Sequence, residues 1–326
     1  MPHVLHVMNG DSICPIFEKA RLPGVMTVYA DPLHEGPVPS GLSDEQMREV
    51  RARYLAGASE SWEDIAQDFR EWDSALGAFH QHDEVVLWFE HDLFDQLLLI
   101  RHLAWFARQS LGSTRLALIC VGTYPGIEPF FGLGQLNPDQ FASLFDTRAA
   151  ITPEQMELGR EAWEAFTSPD PRQLVKLLAT DRSALPFLAP ALRRHLQEFP
   201  ATGTGLPRTE REILEILVTG PQSPATLFRA EQRRESCFFI GDSSFRWRLD
   251  VLAALPRPLI TMQLDSKDTG TLPPGVVTIT DTGRDVLAGR RDWLGVRDFD
   301  RWLGGVHVRS ESIWRWNADG GHIEKA

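Results

Sequence analysis

The sequence predicts an α/β protein, with a Rossmann-like, mostly parallel sheet followed by a helical segment and a winged helix-turn-helix-like domain. Three observations carry this expectation. Short apolar runs alternate with helical stretches through the first 125 residues or so, the order of a parallel sheet with right-handed crossovers. Two of those runs, 84–89 (EVVLWF) and 115–121 (RLALICV), are almost continuous in apolar residues, as strands covered on both faces are. From Thr209 the pattern becomes three helices, two strand-like runs and a helix, the element order of a winged helix.

The elements follow in order. Residues 4–8 are apolar and end in Asn9-Gly10-Asp11-Ser12, a strand running into a turn with a helix from about Pro15. A second strand, 24–30 (GVMTVYA), stops at Asp31-Pro32. Amphipathic helices span about 43–56 and 61–80, the latter capped by Ser61 with Asp64 three residues on. The third strand runs into Glu90-His91-Asp92 and a helix of about 94–109, and the fourth ends at Gly122. No G-x-G-x-x-G follows the first strand, which disfavours a standard dinucleotide site. Asn137-Pro138, Thr152-Pro153 and Asp170-Pro171 place a capping residue before a proline. They open helices of about 138–145, 153–167 and 171–179, with another at 187–198. Thr209-x-x-Glu212 reads as a capping box, Ser223-Pro224 as a second start and Asp242 or Ser243 as a third. Strands at 258–264 and 276–280 and a helix from Asp281 complete the pattern. The expected domains are 1–136 (α/β, with the ligand site), 137–204 (helical connector), 205–294 (winged-helix-like) and 295–326. The last is a tail docking on the body through Trp302, Trp314 and Trp316.

Composition narrows the class. The chain has 326 residues, 43% hydrophobic and 24% charged, as ordinary globular proteins do. No apolar run approaches the ~18 residues of a membrane span. The opening MPHVLHVMNGDS lacks the basic region of a signal peptide. Three cysteines, at 14, 120 and 237, show no CxxC spacing. The expectation is a reduced, cytoplasmic protein with no membrane partner. Residues 1–150 carry 10 Lys and Arg against 21 Asp and Glu, a poor surface for duplex DNA and a good one for a metal or cationic ligand.

Candidate chemistry gathers at the strand ends. In open α/β sheets, ligands sit outside the carboxyl ends of the strands, at the switch point. After the first strand, Asn9 and Gly10 allow close approach, Asp11 suits a metal or ribose hydroxyl, and Ser12 and the helix amides suit phosphate. A turn with a helix cap explains the same residues. After the second strand, Asp31, His34 and Glu35 put two carboxylates and an imidazole on one loop, though taken alone these residues read more simply as a solvated loop. After the third, Glu90, Asp92, Asp95 and Gln96 crowd a strand-to-helix junction. Asp92 and Asp95 favour a helix N-terminus electrostatically, whereas Glu90 gains nothing from capping. Carboxylates from several strand ends can hold Mg²⁺ or Mn²⁺ or act as general acid and base. In the third helix of the winged-helix-like domain, Asp242, Arg246 and Arg248 are contact candidates. Residues 205–294 hold 12 basic and 12 acidic side chains, whereas DNA readers are usually clearly basic.

NGDS, DPLHEGPVP and VVLWFEHDLFDQL, taken together, resemble a bacterial family known as domain of unknown function 1835, over roughly residues 3–125. The GLGQL and ALPFLAPALRRHLQEFP segments are similar to its long members, and GDSSFRWRL resembles the G-D-x-x-F-x-x-R pattern of domain of unknown function 3658. Shorter members have Gly-Glu-Ser at the Gly10–Ser12 positions, and Asn and Glu-Gln at those of Asp92 and Asp95–Gln96. The resemblance implies a polar site of Asp11, Ser12, Asp92, Asp95 and Gln96, does not carry over Glu90 or His91, and brings no activity.

The functional expectation is a metal-assisted hydrolase or transferase on a nucleotide-like or phosphorylated small molecule. Asp11, His34, Glu35 and Asp92 would be catalytic, with metal on Asp11 and Asp92. Asn9, Gly10, Ser12, Asp31, Asp95, Gln96, Asp242 and Arg248 would bind ligand. The alternative is a ligand-sensing regulator whose winged-helix-like domain meets DNA or a protein.

Overall fold

The computed structural model describes residues 3–57, 61–180, 183–265, 267–295 and 298–326. Strand β1 (Val4–Met8) is buried at all five positions, including His6. That imidazole is satisfied inside, accepting from Trp88 Nε1 at 3.0 Å and meeting the Pro23 carbonyl at 3.0 Å. Helix α1 (Cys14–Ala20) leads to β2 (Val25–Val28), parallel to β1. The short β3 (Gly36–Pro37), α2 (Asp44–Ala56) and α3 (Trp62–Gly77) precede β4 (Glu84–Glu90), buried at all seven positions. Then come α4 (Leu93–Phe106), β5 (Arg115–Val121), α5 (Pro138–Leu144) and the two-residue β6 (Ala149–Ala150). The protein is mixed α/β, with a five-stranded sheet in the order β2-β1-β4-β5-β6. All pairings are parallel except β5 with β6.

The two faces follow from strand alternation. Val4, Met8, Val86, Trp88, Ala117 and Ile119 pack on α1 and α5, with Trp88 stacked on Phe141 at 4.5 Å. On the other face Phe89 meets His102 of α4 at 5.5 Å. The β1-α1-β2 and β4-α4-β5 connections therefore leave from opposite faces and run in opposite directions along the sheet. The crevice between the carboxyl ends of β1 and β4 is the switch point, where open α/β sheets bind ligands.

Contacts divide the chain into two units: Met1–Leu192 with Trp302–Val306, and Arg193–Arg301 with His307–Ala326. This redraws the expected boundaries. Residues 137–192 are no separate connector, because α6 (Pro153–Thr167) lies along α4. Gly159 approaches Leu103 so closely that an added Cβ would sit 2.4 Å from it. Helix α7 (Arg172–Leu178) follows, and the division falls inside α8 (Leu188–Leu196). The expected tail is split too. The first unit takes back part of β9 (Asp300–Gly304), which pairs in parallel with β3 through Leu303 and Gly304.

The second unit holds α9 (Arg208–Val218), α10 (Pro224–Gln232) and α11 (Asp242–Ala253), the antiparallel pair β7 (Ile260–Leu264) and β8 (Gly275–Ile279), and α12 (Asp281–Leu287). Strands β10 (Val306–Arg309), β11 (Trp314–Asn317) and β12 (His322–Lys325) end the chain. The capping box expected at Thr209 is absent. Helix α9 starts two residues earlier, with Pro207 in the N-cap position and no side-chain cap. The Thr209 hydroxyl instead donates to Glu198 at 2.7 Å and accepts from Arg194 at 2.9 Å, within a buried ion network that outcompetes a helix end. Among the described residues no helix is long and apolar enough to cross a membrane.

Candidate functional site

Asn9 follows β1 and Glu90 ends β4, so sheet pairing alone brings them to the switch point. Asp92 is the N-cap of α4, accepting from the Asp95 amide at 2.8 Å. Asp95 lies in the first helical turn, where its carboxylate accepts from the Glu90 amide at 2.8 Å and from Asn9 Nδ2 at 2.8 Å. Oxygens of Glu90, Asp92 and Asp95 lie within 4.8 Å of one another, all three residues being buried. The Leu133 amide donates to Glu90 Oε1 at 2.7 Å. Gly132, at φ 149°, lets that loop wrap the carboxylate, since an added Cβ would fall 2.1 Å from Oε2.

Electrostatics separates the three acids. Burial and the neighbouring Asp95 charge push Glu90 up to about 8, against the pull of the Leu133 and Asn9 hydrogen bonds. Burial, then Asp95 and Glu90, raise Asp92 well above the carboxylate range. Burial also raises Asp95, but hydrogen bonds from Asn9, the Glu90 amide and Asp92 hold it to about 6. Three close acids without a compensating cation must hold protons or a metal. An all-oxygen donor set suits a hard ion such as Mg²⁺ or Mn²⁺, and these residues fit one.

Other expected residues fall elsewhere. Asp11 and Ser12 are exposed on a 3-10 turn, and the cluster of carboxylate oxygens that includes Asp92 takes Glu90 and Asp95 rather than Asp11. Ser12 Oγ is near Gly134, on the Leu133–Gln135 turn beside Glu90, and Gly10 is extended before open space. Asp31, in the loop after β2, is held in an ion pair. It is buried against Arg51, whose Nη2 donates to it at 2.6 Å and whose Nε donates at 3.0 Å. Arg51 also holds the Pro32 and Glu35 carbonyls. This clamp fixes the loop carrying His34 and Glu35, and the His34 ring meets Phe94, next to Asp95, at 6.0 Å. Gln96 braces the strand ends, donating to the Glu90 carbonyl at 2.6 Å and to Cys120 Sγ at 3.4 Å. Burial pushes the Cys120 thiol up to about 12, which opposes formation of the nucleophilic thiolate.

Asp242 and Arg248 belong to the second unit. Asp242 is exposed at the start of α11 and accepts from the Ser243 amide. Arg248 is buried and paired with Glu198 at 2.8 Å and Glu210 at 3.0 Å, which corrects its expected ligand role. Glu90 is the residue that sequence reasoning left out of the site. Its signal was a carboxylate ending a wholly apolar strand, where capping gives it no reason to be. No protein-family model and no curated protein matches this chain.

Proposed function

We propose that the first unit is a metal-assisted hydrolase or transferase acting on a nucleotide-like or phosphorylated small molecule. The observation that supports it is the buried acid triad, Glu90, Asp92 and Asp95, at the switch point of a mostly parallel sheet. On this reading the sheet is Rossmann-like and the triad holds Mg²⁺ or Mn²⁺. Bound there, the cation supplies Lewis acidity toward a phosphoryl oxygen. Asn9 orients Asp95. Asp11 and Ser12, exposed on the adjoining turn, meet the ligand, Ser12 by donating to phosphate. His34 and Glu35 move protons from the loop that Arg51 clamps. The second unit is read as winged-helix-like from its element order. Its third helix favours a structural or protein-contacting role over duplex DNA, because Arg246 pairs with Asp250 at 3.0 Å and Arg248 is buried.

Titration calorimetry with Mn²⁺ tests the metal site. Wild type takes up one ion, Asp92→Asn weakens it by about 10- to 100-fold, and Asp11→Asn leaves it unchanged. Equal affinity in wild type and Asp92→Asn, or no uptake at all, sinks the reading.

A further inference from the structure

We propose that a cavity of the first unit, lined by arginines, binds a small phosphate ester. This site is separate from the acid triad and does not rest on the function proposed for it. The cavity has a volume of about 300 Å³, at the small end of ligand pockets. Five arginines line it: Arg48 and Arg51 from α2, Arg101 from α4, Arg108 just beyond, and Arg160 from α6. Three carboxylates share the wall: Asp31, Asp44 and Glu164. The wall itself thus carries five guanidinium groups against three carboxylates, with Asp73 and Glu157 pairing three of the arginines without being part of it.

Their partners show which charges are already used. Arg51 is held by Asp31 at 2.6 Å, and Arg48 by Asp73 at 2.7 Å. Arg160 bridges Glu157 and Glu164 on its own helix. Arg108 reaches Asp44 only at 3.5 Å. The Arg101 guanidinium lies 3.9 Å from the centre of the Tyr29 ring and gives Nη2 to Asp73 at 3.2 Å. Its Nη1 is buried without a hydrogen-bond partner among the described residues.

The arrangement favours phosphate over carboxylate. The guanidinium groups come from three helices and so from several directions. A phosphate presents three oxygens in a tetrahedron, whereas a carboxylate presents two in a plane. Tyr29, Trp105 and Trp163 line the same cavity and offer apolar surface for the organic part of an ester. None of Asn9, Glu90, Asp92 or Asp95 lines it. Arg101 lies six residues beyond Asp95 on α4, about 9 Å along the helix axis.

The test is titration calorimetry of the full chain in metal-free buffer with adenosine monophosphate, inorganic phosphate and citrate. Wild type binds both phosphate probes, the ester more tightly, and citrate more weakly than either. Arg108→Ala with Arg160→Ala, two partly exposed side chains whose loss leaves the core intact, weakens the ester about tenfold or more. Arg101→Lys keeps the charge but loses the planar fork, and weakens it likewise. Glu90→Gln leaves it unchanged. The proposal is overturned if wild type binds neither phosphate probe or prefers citrate. It is equally overturned if the double variant binds normally, or if Glu90→Gln loses the ester, which would place the anion at the acid site.

Discussion

Glu90 ends a strand that is buried throughout, with two other carboxyls close by. Its folded-state value of about 8 lies above that of an unfolded glutamate, near 4.3. Between those values the folded chain holds a proton that the unfolded chain has lost, so stability falls as pH rises through the window. The metal-free protein should therefore melt lower at pH 8 than at pH 5. Glu90→Gln, which keeps the shape and removes the charge, should raise the midpoint at pH 8, change it little at pH 5, and weaken Mn²⁺ binding. Thermal unfolding at both pH values checks this, and a midpoint lowered at pH 8 would show that the buried charge is not the cost supposed. Asp31 makes the complementary case. Its charge is buried too, but the paired Arg51 guanidinium compensates it.

At the scale of elements, short-range chemistry was legible and long-range pairing was not. The caps at Ser61, Asn137, Thr152 and Ser223 accept amides within their own helices, so three or four adjacent residues carry the whole signal. The strand ends were legible because apolar runs stop abruptly at polar residues. The partners of Thr209 and Arg248 were not, because the network joins residues far apart in sequence. Arg194 meets Glu235 at 41 residues' separation and Arg301 meets Glu210 at 91. A charged residue on a helix reads as solvated until the fold shows its partner; Arg51, 20 residues from Asp31, is another case. The network also makes a stability prediction. Burial pushes Glu198 up, but Arg248, Arg194 and Arg301 outweigh it and hold the carboxyl far below its ordinary range. That stability is complete above an unfolded glutamate's value and is lost as acid protonates the folded carboxylate. Arg194→Met leaves Glu198 and Glu235 without a shared partner and should cost about 3–5 kcal/mol, read by denaturant unfolding at pH 7. A loss below about 1 kcal/mol would show that the remaining arginines suffice.

For the molecule as a whole, the first unit is completed by residues more than 100 positions further along the chain. Residues 302–306 return to it. The Val38 amide donates to the Gly304 carbonyl at 2.9 Å, and the Gly305 amide donates to the Phe166 carbonyl at 2.9 Å. There is no room for a side chain there, since a Cβ on Gly305 would lie 1.8 Å from the Thr167 carbonyl oxygen. That oxygen also accepts from the Ser40 amide at 2.9 Å, and Ser40 and Thr167 both line the arginine cavity. The returning strand thus packs on the same backbone atom that shapes the cavity wall. Gly305→Val should lift the strand off α6 and loosen the loop that carries Ser40. Hydrogen exchange should then show lost protection at Val38 and Ser40, by about 10-fold for each 1.4 kcal/mol of local stability removed. The Val277 amide, which donates to the Gln222 carbonyl at 2.8 Å, belongs to the other unit and should keep its protection. Unchanged protection at Val38 would mean that the first unit holds its shape without the returning strand, and the cavity would then owe nothing to the end of the chain.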